Sequence, residues 1–237
     1  MTKSYYLMFA LVAVFSVGCN KEADKAASTE AKPAKIVKIE SPEKLSGTDF
    51  VTAVPGSQMT YEVIGTNRDV TFRIADATGS DDVKTVTFEV VEDGKVSDVF
   101  KWRLDSKGIT QVTARKGVAF EPAQPLLVLP FKGGDEFRYE GKGAFPSVAT
   151  GDPTSGALES ISKVRGIEVV DTALGKIEAV AVQSITVYSS GKFTYREDAT
   201  TWFSPKYGIV RYVQTVSRKE DNRTSTMRLR LKSLSTK

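Results

Sequence analysis

The chain has 237 residues, of which 41% are hydrophobic and 26% charged, so it holds enough apolar material for one large or two small folded domains. It contains no histidine and one cysteine, which excludes Ser-His-Asp and Cys-His catalytic arrangements and histidine-based metal sites. The formal net charge of +4 does not by itself indicate nucleic-acid binding, and no phosphate-binding or dinucleotide-binding loop predicts a cofactor.

The first predicted element is an export signal over residues 1–18. An apolar run of about thirteen residues, Tyr5 to Val17, is short for a membrane span and typical of a signal-peptide core. The only cysteine, Cys19, comes directly after Ser16, Val17 and Gly18. This box resembles the signal of bacterial lipoproteins at its last three positions, whereas Ser16 stands where an aliphatic residue is usual. The resemblance implies cleavage before Cys19, acylation of its thiol with diacylglycerol, and often acylation of the new amino group as well.

This signal predicts the cellular location of the protein. A lipoprotein would be anchored to a membrane of the bacterial cell envelope by its acyl chains, each of whose buried CH₂ groups contributes about 0.8 kcal/mol. Asn20, rather than Asp, follows the cysteine. By the enterobacterial sorting rule for lipoproteins, that residue implies the outer membrane, facing the periplasm. The alternative is ordinary secretion, because Ser16-x-Gly18 also fits a small-x-small cleavage site.

A tether is predicted next, over residues 19–45. Lys, Glu, Ala, Ser and Pro dominate this stretch, and aromatic residues are absent from it. Such a segment cannot bury enough apolar surface to offset its ordering entropy, so we expect it to be flexible. The folded body is expected to begin near Ser46 and to run from residue 46 to residue 237.

The body is predicted to be all-β. Val86, Phe88 and Val90 alternate with polar residues, and Glu92 to Lys95 supplies an Asp-Gly hairpin signal. No stretch shows a helical apolar stripe with caps. These patterns predict an antiparallel curved sheet, a half-barrel or a sandwich of about ten to eleven strands.

An internal duplication is also predicted, with copies over residues 56–130 and 131–237. The segment "SQMTYE" at 57–62 resembles "DEFRYE" at 135–140, and the only two tryptophans, Trp102 and Trp202, each precede Gly-Ile by six residues, at Gly108 and Gly208. We expect both indoles to be buried in matching places. The alternative is that Tyr, Trp and Gly recur in many β proteins.

The C-terminal half resembles exported bacterial β proteins of unknown function. In that group a strand is followed by Trp-Phe/Tyr-x-Pro-x-x-Gly-hydrophobic-Val, and "TWFSPKYGIV" at 201–210 fits this pattern. An upstream "PFKGGDEFRYEG" fits a second motif of the group, except that Phe137 replaces Trp. The resemblance implies a β fold and an envelope location, and no activity. Pro205 and Gly208 are expected to turn the chain between two paired strands, with Trp202 packed beneath.

Few residues suggest a catalytic site or a binding surface. The adjacent acidic pairs Asp81-Asp82, Glu197-Asp198 and Glu220-Asp221 are predicted to lie in solvated turns, and adjacent strand residues would face opposite ways in any case. In the last strand, Arg228, Arg230 and Lys232 share one face, and Met227, Leu229 and Leu231 share the other. The basic stripe is interpreted either as a surface for anionic partners or as protection of an exposed sheet edge.

Three functions stay open on the sequence alone. The first is a non-enzymatic binding or scaffolding lipoprotein with an unknown protein, lipid or glycan partner, for which a lipid-carrier-like β fold is one form. The second is a hydrolase of envelope polymers, which needs two converging carboxylates about 5–10 Å apart. The third is a purely structural protein without a pocket. No cofactor, metal or nucleic-acid partner is expected.

Overall fold

The computed structural model describes residues 36–144, 155–191, 193–220 and 222–236. Within these ranges the secondary structure consists of β-strands and three short 3-10 turns, with no α-helix. The 3-10 turns are Pro42–Lys44, Gly47–Asp49 and Arg115–Gly117. The strands are β1 (Gln58–Val63), β2 (Arg68–Gly79), β3 (Lys84–Glu92), β4 (Lys95–Asp105), β5 (Gly108–Thr113), β6 (Ala119–Val128), β7 (Glu136–Ala144), β8 (Ser155–Thr172), β9 (Gly175–Ser190), β10 (Phe193–Ser204), β11 (Gly208–Arg218) and β12 (Thr224–Ser235).

These strands form a closed antiparallel barrel. Each strand pairs with its neighbours in the chain, and β12 returns to pair with β1. The all-β antiparallel class predicted from the sequence is confirmed. The predicted count of about ten to eleven strands and the open sheet, half-barrel or sandwich are wrong. Closure is the physical reason for the difference, because pairing of the first strand with the last removes both free edges of an open sheet.

The hairpin predicted at Glu92 to Lys95 is confirmed. β3 ends at Glu92, β4 begins at Lys95, and the two residues between them have positive φ, 50° at Asp93 and 75° at Gly94. This is the conformation of a two-residue turn whose twist matches that of the flanking strands.

The barrel wall follows a period of two residues. Along β8, Leu158, Ser160 and Ser162 are buried toward the lumen, whereas Glu159 between them and Lys163 after them are exposed. Successive side chains of a strand point to opposite faces, so the apolar alternation of the sequence becomes an inner face and a charged outer face.

One end of the barrel, which we call the plugged end, carries the turns Asp105–Gly108 and Ser204–Gly208. The segment before β1 covers this end, where Phe50 has no exposed surface and the Lys206 amide donates to the Asp49 carbonyl at 2.7 Å. The contact with the first turn leaves no room for side chains. A Cβ atom on Gly47 would lie 1.9 Å from the Gly108 oxygen, and Gly108 itself has a φ of +123°.

The folded body begins earlier than predicted. The Val37 amide donates to the Lys176 carbonyl at 3.0 Å, and the Ile39 amide donates to the Glu178 carboxylate at 2.8 Å. These bonds add residues 37–39 alongside the beginning of β9. The tether predicted over residues 19–45 therefore ends in residues that bond to the barrel, and residues 19–35 lie outside the described residues.

The predicted duplication corresponds to two halves of six strands. β1 to β6 fall within residues 56–130, and β7 to β12 fall within residues 131–237. Each half has its tryptophan in its fourth strand, and its fifth strand begins at Gly108 or Gly208. Common descent of the two halves stays a prediction.

Candidate functional site

The lumen holds a cavity of about 370 Å³. This volume lies in the lower part of the range of small-molecule pockets, about 300–1,000 Å³. Every strand except β1 contributes to its wall. The apolar side chains of the wall are Val70, Phe72, Val90, Phe100, Trp102, Ala114, Phe120, Pro125, Leu126, Ala144, Leu158, Val182, Ala199, Phe203, Ile209, Met227 and Leu229.

Aromatic rings form one part of this wall. The ring of Phe100 stands 5.5 Å from that of Phe72 and 5.6 Å from that of Trp102, and Trp102 stands 6.4 Å from Phe203. Phe88, the partner of Phe100 on the neighbouring strand β3, stacks on it at 4.9 Å. Contacts of this kind add about 0.5–1.5 kcal/mol per pair to the burial of the rings, so the aromatic wall is held in a fixed arrangement.

The polar part of the cavity is centred on Glu197. The Gln214 amide donates to its carboxylate at 2.8 Å, and the Tyr212 hydroxyl hydrogen-bonds to the same carboxyl group. Burial raises the pKa of Glu197, although the bonds from Gln214 and Tyr212 act in the opposite direction. Burial also raises the pKa of Tyr212 well above its ordinary value, with a further contribution from the negative charge of Glu197. The arrangement therefore favours a neutral carboxylic acid inside an apolar lumen.

Glu197 faces inward because of its position on a strand. The prediction that the pair Glu197-Asp198 lies in a turn is wrong, since both residues lie within β10. The expectation that the two side chains face opposite ways agrees with the structure. Asp198 makes two hydrogen bonds of 2.9 Å to the Arg196 guanidinium, whereas Glu197 lines the cavity. The signal that could have identified Glu197 is the alternation Tyr195, Glu197, Ala199, which places one acid on an otherwise apolar inner face.

Two further carboxylates line the cavity, and both have other partners. Glu92 forms a 2.9 Å ion pair with Arg68. Asp98 accepts the backbone N–H groups of Val99 at 2.8 Å and Lys116 at 2.7 Å. No Lys or Arg side chain belongs to the described wall. The lumen is therefore apolar and acidic.

The structure places the two tryptophans on opposite faces of the barrel. Trp102 lines the cavity, whereas Trp202 lies between the inward-facing Thr201 and Phe203 and so points outward. There its indole N–H donates to Glu168 at 2.9 Å, and the Arg211 guanidinium lies 4.9 Å from the ring centroid. Both indoles are buried, but they do not occupy matching places, contrary to the expectation from the sequence.

The other residues of the predicted structural motif lie at the plugged end. β10 ends at Ser204, β11 begins at Gly208, and Pro205 lies in the turn between these two paired strands. Lys206 and Gly208 both have positive φ, at 68° and 66°. The turn is far along the chain from Cys19, which lies outside the described residues.

The basic strand is not a sheet edge. β12 pairs with β1 on one side and with β11 on the other, so the interpretation of the basic stripe as edge protection is wrong. Arg230 forms an ion pair with Glu62, and Lys232 pairs with Asp69 at 2.6 Å. The other face of the strand is only partly as expected, because Leu229 and Leu231 are buried but Met227 is 37% exposed.

The described residues contain neither a candidate metal site nor a candidate membrane-spanning helix. No group of acidic or cysteine side chains in them could hold a metal ion. Over the same ranges, no helix combines the length and the apolar character that crossing a bilayer requires.

Comparisons with known proteins gave loose structural likenesses. No protein-family model and no curated protein sequence matches the chain. A protein of Bacteroides fragilis, described as exported and with a YmcC-like fold, is 12% identical at a TM-score of 0.43, over 79% of this chain and 99% of its own. A protein of Parabacteroides distasonis described as a lipoprotein is 13% identical at 0.45, over 78% and 98% of the two chains. The lipoprotein YmcC of Escherichia coli is 10% identical at 0.42, over 81% and 90%. Likeness at this level transfers no function.

Proposed function

We propose that this protein is a lipid-anchored protein of the bacterial envelope that binds one small apolar molecule inside its barrel. The observation that carries the proposal is the cavity of about 370 Å³ in the lumen. Protein interiors are close-packed and contain few voids larger than a water molecule, so a cavity of this size is not ordinary packing. Its wall combines many apolar side chains with a small polar group, which is the usual composition of a ligand pocket.

Dissolved apolar molecules and lipids are the ligands that such a wall favours. The lumen presents apolar side chains from several strands, and each Å² of ligand surface removed from water contributes about 25 cal/mol before the costs of association. The polar group of Glu197, Gln214 and Tyr212 can fix the orientation of a ligand through one hydrogen-bonding head.

The proposed location in the bacterial envelope rests on the sequence. The lipoprotein-like box ends at Cys19, and the chain has no other cysteine that would need a partner thiol in an oxidising compartment. Acylation would hold the barrel at a membrane surface, where apolar ligands are concentrated. The outer membrane is the proposed location, with the barrel facing the periplasm.

The hydrolase alternative is less well supported. It requires a second carboxyl group free to act opposite Glu197. Glu92 and Asp98 line the same cavity, but Arg68 pairs with the first and two backbone N–H groups bond to the second. Asp198 is on the outer face. Carboxylates with such partners stabilise the barrel and are not free to act as a general acid or base.

The test fills the cavity without touching the outer surface. In the full chain carrying Cys19→Ser, Ala199→Phe would place a ring in the lumen, and Thr200→Phe would place the same ring on the opposite face of β10. Binding is measured by the fluorescence of the neutral apolar probe N-phenyl-1-naphthylamine, together with thermal melting of each variant. We expect Ala199→Phe to weaken probe binding by about tenfold or more, about 1.4 kcal/mol, and Thr200→Phe to leave it unchanged.

Two results would contradict the proposal. The first is the absence of probe binding to the Cys19→Ser chain itself. The second is equal binding by both phenylalanine variants, provided that both melt cooperatively.

A further inference from the structure

Charge is distributed unevenly around the cavity. Its described wall contains three acidic side chains, Glu92, Asp98 and Glu197, and no basic one. The chain as a whole has more basic than acidic residues, 33 against 29, so the acidic lumen does not follow from the average composition.

Within the described residues, Glu197 has no cationic partner. Its hydrogen-bond partners, Gln214 and Tyr212, are both neutral donors. A buried carboxylate of this kind is costly unless a positive charge pairs with it, since its water shell has been removed and neutral donors replace that shell only in part. In the free protein the cost is reduced by the raised pKa of the carboxyl group, which favours the neutral acid.

We propose that the ligand of the lumen is an apolar molecule with a protonated amine as its head, and that this amine pairs with Glu197. The inference rests on the proposed function and names the class of molecule that the same cavity binds. The ammonium group supplies the positive charge that the wall lacks, and it donates to the carboxylate beside Gln214 and Tyr212. The apolar part of the ligand packs against the aromatic and aliphatic side chains.

The aromatic wall supports a cationic ligand for a second reason. Phe72, Phe100, Trp102 and Phe203 line the same cavity as Glu197. The faces of aromatic rings carry negative charge density, and they attract a cation more strongly where water is excluded. A wall that is both acidic and aromatic therefore stabilises an ammonium group at more than one position.

The same wall opposes anionic lipids. The carboxylate of a fatty acid or the phosphate of a phospholipid would enter a lumen that contains Glu92, Asp98 and Glu197 and has no lysine or arginine in its described wall. Such a head group would be desolvated without a cationic partner in the wall, which costs affinity.

The experiment compares three ligands with the same alkyl chain. Decylamine, decanol and decanoate are titrated at pH 7 into the full chain carrying Cys19→Ser, by displacement of N-phenyl-1-naphthylamine. Two further variants are Glu197→Gln, which keeps the shape of the side chain and removes its charge, and Asp198→Asn, which removes a carboxylate from the outer face at the next position. Thermal melting reports that each variant is folded.

We expect decylamine to bind about tenfold more tightly than decanoate or decanol, with Glu197→Gln losing about tenfold for decylamine and Asp198→Asn losing none. Decanol binding should differ by less than about twofold between the variants. Preference for decanoate, equal binding of decanol and decylamine, or an unchanged amine preference in Glu197→Gln would each overturn the proposal while leaving the cavity as a binding site. If none of the three ligands displaces the probe because the probe itself does not bind, the proposed function fails instead.

A second inference comes from the strand pairing. β6 and β7 are joined by a single pair in the described ladder, Glu121 with Lys142, whereas β7 and β8 are paired over nine consecutive positions, Glu136 to Ala144. Two prolines in β6, Pro122 and Pro125, have no N–H to donate. In place of a ladder, the Tyr139 hydroxyl donates to the Pro122 carbonyl at 2.8 Å.

We infer that the β6/β7 seam is the route by which a ligand reaches the lumen. Phe120, Pro125 and Leu126 of β6 line the cavity, so separation of the two strands would expose it directly. Every other pair of neighbouring strands in the described barrel is joined by at least five residue pairs, so more hydrogen bonds would have to break before those strands could separate.

A reversible cross-link tests the route. In the Cys19→Ser chain, Glu121→Cys/Lys142→Cys joins the seam, and Arg196→Cys/Ser217→Cys joins two outward positions of the fully paired β10 and β11. Directly paired strand positions have Cα separations that suit a disulfide. The rate of N-phenyl-1-naphthylamine uptake is followed by stopped-flow fluorescence with and without a thiol reductant.

We expect oxidation of the seam pair to slow uptake of the probe by about tenfold or more, since β6 and β7 can then no longer separate. The equilibrium affinity should stay the same, and reductant should restore the rate. The β10/β11 cross-link should have no effect on uptake. Equal rates for the oxidised and reduced seam variant would overturn the inference, and they would leave probe binding, and with it the proposed function, intact.

Discussion

Replacement of Glu197 by glutamine should change how the stability of the barrel depends on pH. Burial raises the pKa of Glu197 above its ordinary value of 4.5. The folded protein therefore holds this proton more tightly than the unfolded chain does. Below about pH 4.5 the carboxyl group is protonated in both states and does not lower the free energy of unfolding. This free energy falls as the pH rises through the pKa of the folded state.

The size of the effect is set by one proton. Between the unfolded and the folded pKa, the free energy of unfolding should fall by up to about 1.4 kcal/mol for each pH unit. Above the folded pKa the loss becomes constant. Glu197→Gln keeps the hydrogen-bonding shape of the side chain but cannot ionise, so this part of the pH dependence should disappear in the variant.

The assay is urea unfolding at a series of pH values from 4 to 8, for the Cys19→Ser chain with and without Glu197→Gln. The quantity of interest is the difference between the two free energies of unfolding, since all other titrating groups cancel in it. Asp198→Asn serves as a matched variant on the outer face of β10, and the slope assigned to Glu197 should persist in it. A difference that is the same at pH 4.5 and pH 8 would refute the reasoning that burial controls this carboxyl group.

Three further predictions concern the anchor, one glycine and the two tryptophans. Cys19→Ser should release the protein from the membrane fraction or leave an unprocessed precursor, and membrane retention with an unchanged mature N-terminus, measured by fractionation and mass spectrometry, would contradict lipidation. Gly108→Ala should destabilise the barrel by about 3 kcal/mol or more, because its Cβ would lie 2.0 Å from the Leu127 oxygen, whereas Gly94→Ala, at a φ of +75° with nothing within 4 Å, should cost about 1 kcal/mol in urea unfolding. Trp102→Ala should cost about 3–5 kcal/mol, whereas Trp202→Phe, which loses the bond to Glu168, should cost about 1–3 kcal/mol; no loss of stability for Trp202→Phe in urea melts would contradict a stabilising bond to Glu168.

The sequence determined the features that depend on neighbouring residues. The alternation around Phe88 predicted a strand, and Asp93-Gly94 predicted its hairpin, because side-chain period and turn conformation are local properties. The box before Cys19 and the absence of histidine are properties of the sequence itself. They predict the cellular location and exclude several kinds of catalytic and metal site, independently of the fold.

Only the tertiary structure decided closure and the site. The Arg230–Glu62 pair, 168 residues apart, lies where β12 meets β1, and no local pattern specifies that meeting. Without closure, β12 would be an edge and its charges would protect it. With closure, Arg230 and Lys232 pair with Glu62 and Asp69 across strands. The sequence alone predicts Glu197 in a solvated turn because its neighbour is also acidic, whereas its burial depends on wall residues from eleven strands. The physical reason is that strand period fixes which side chains share a face, whereas the partner of the last strand fixes whether that face is a surface or a lumen.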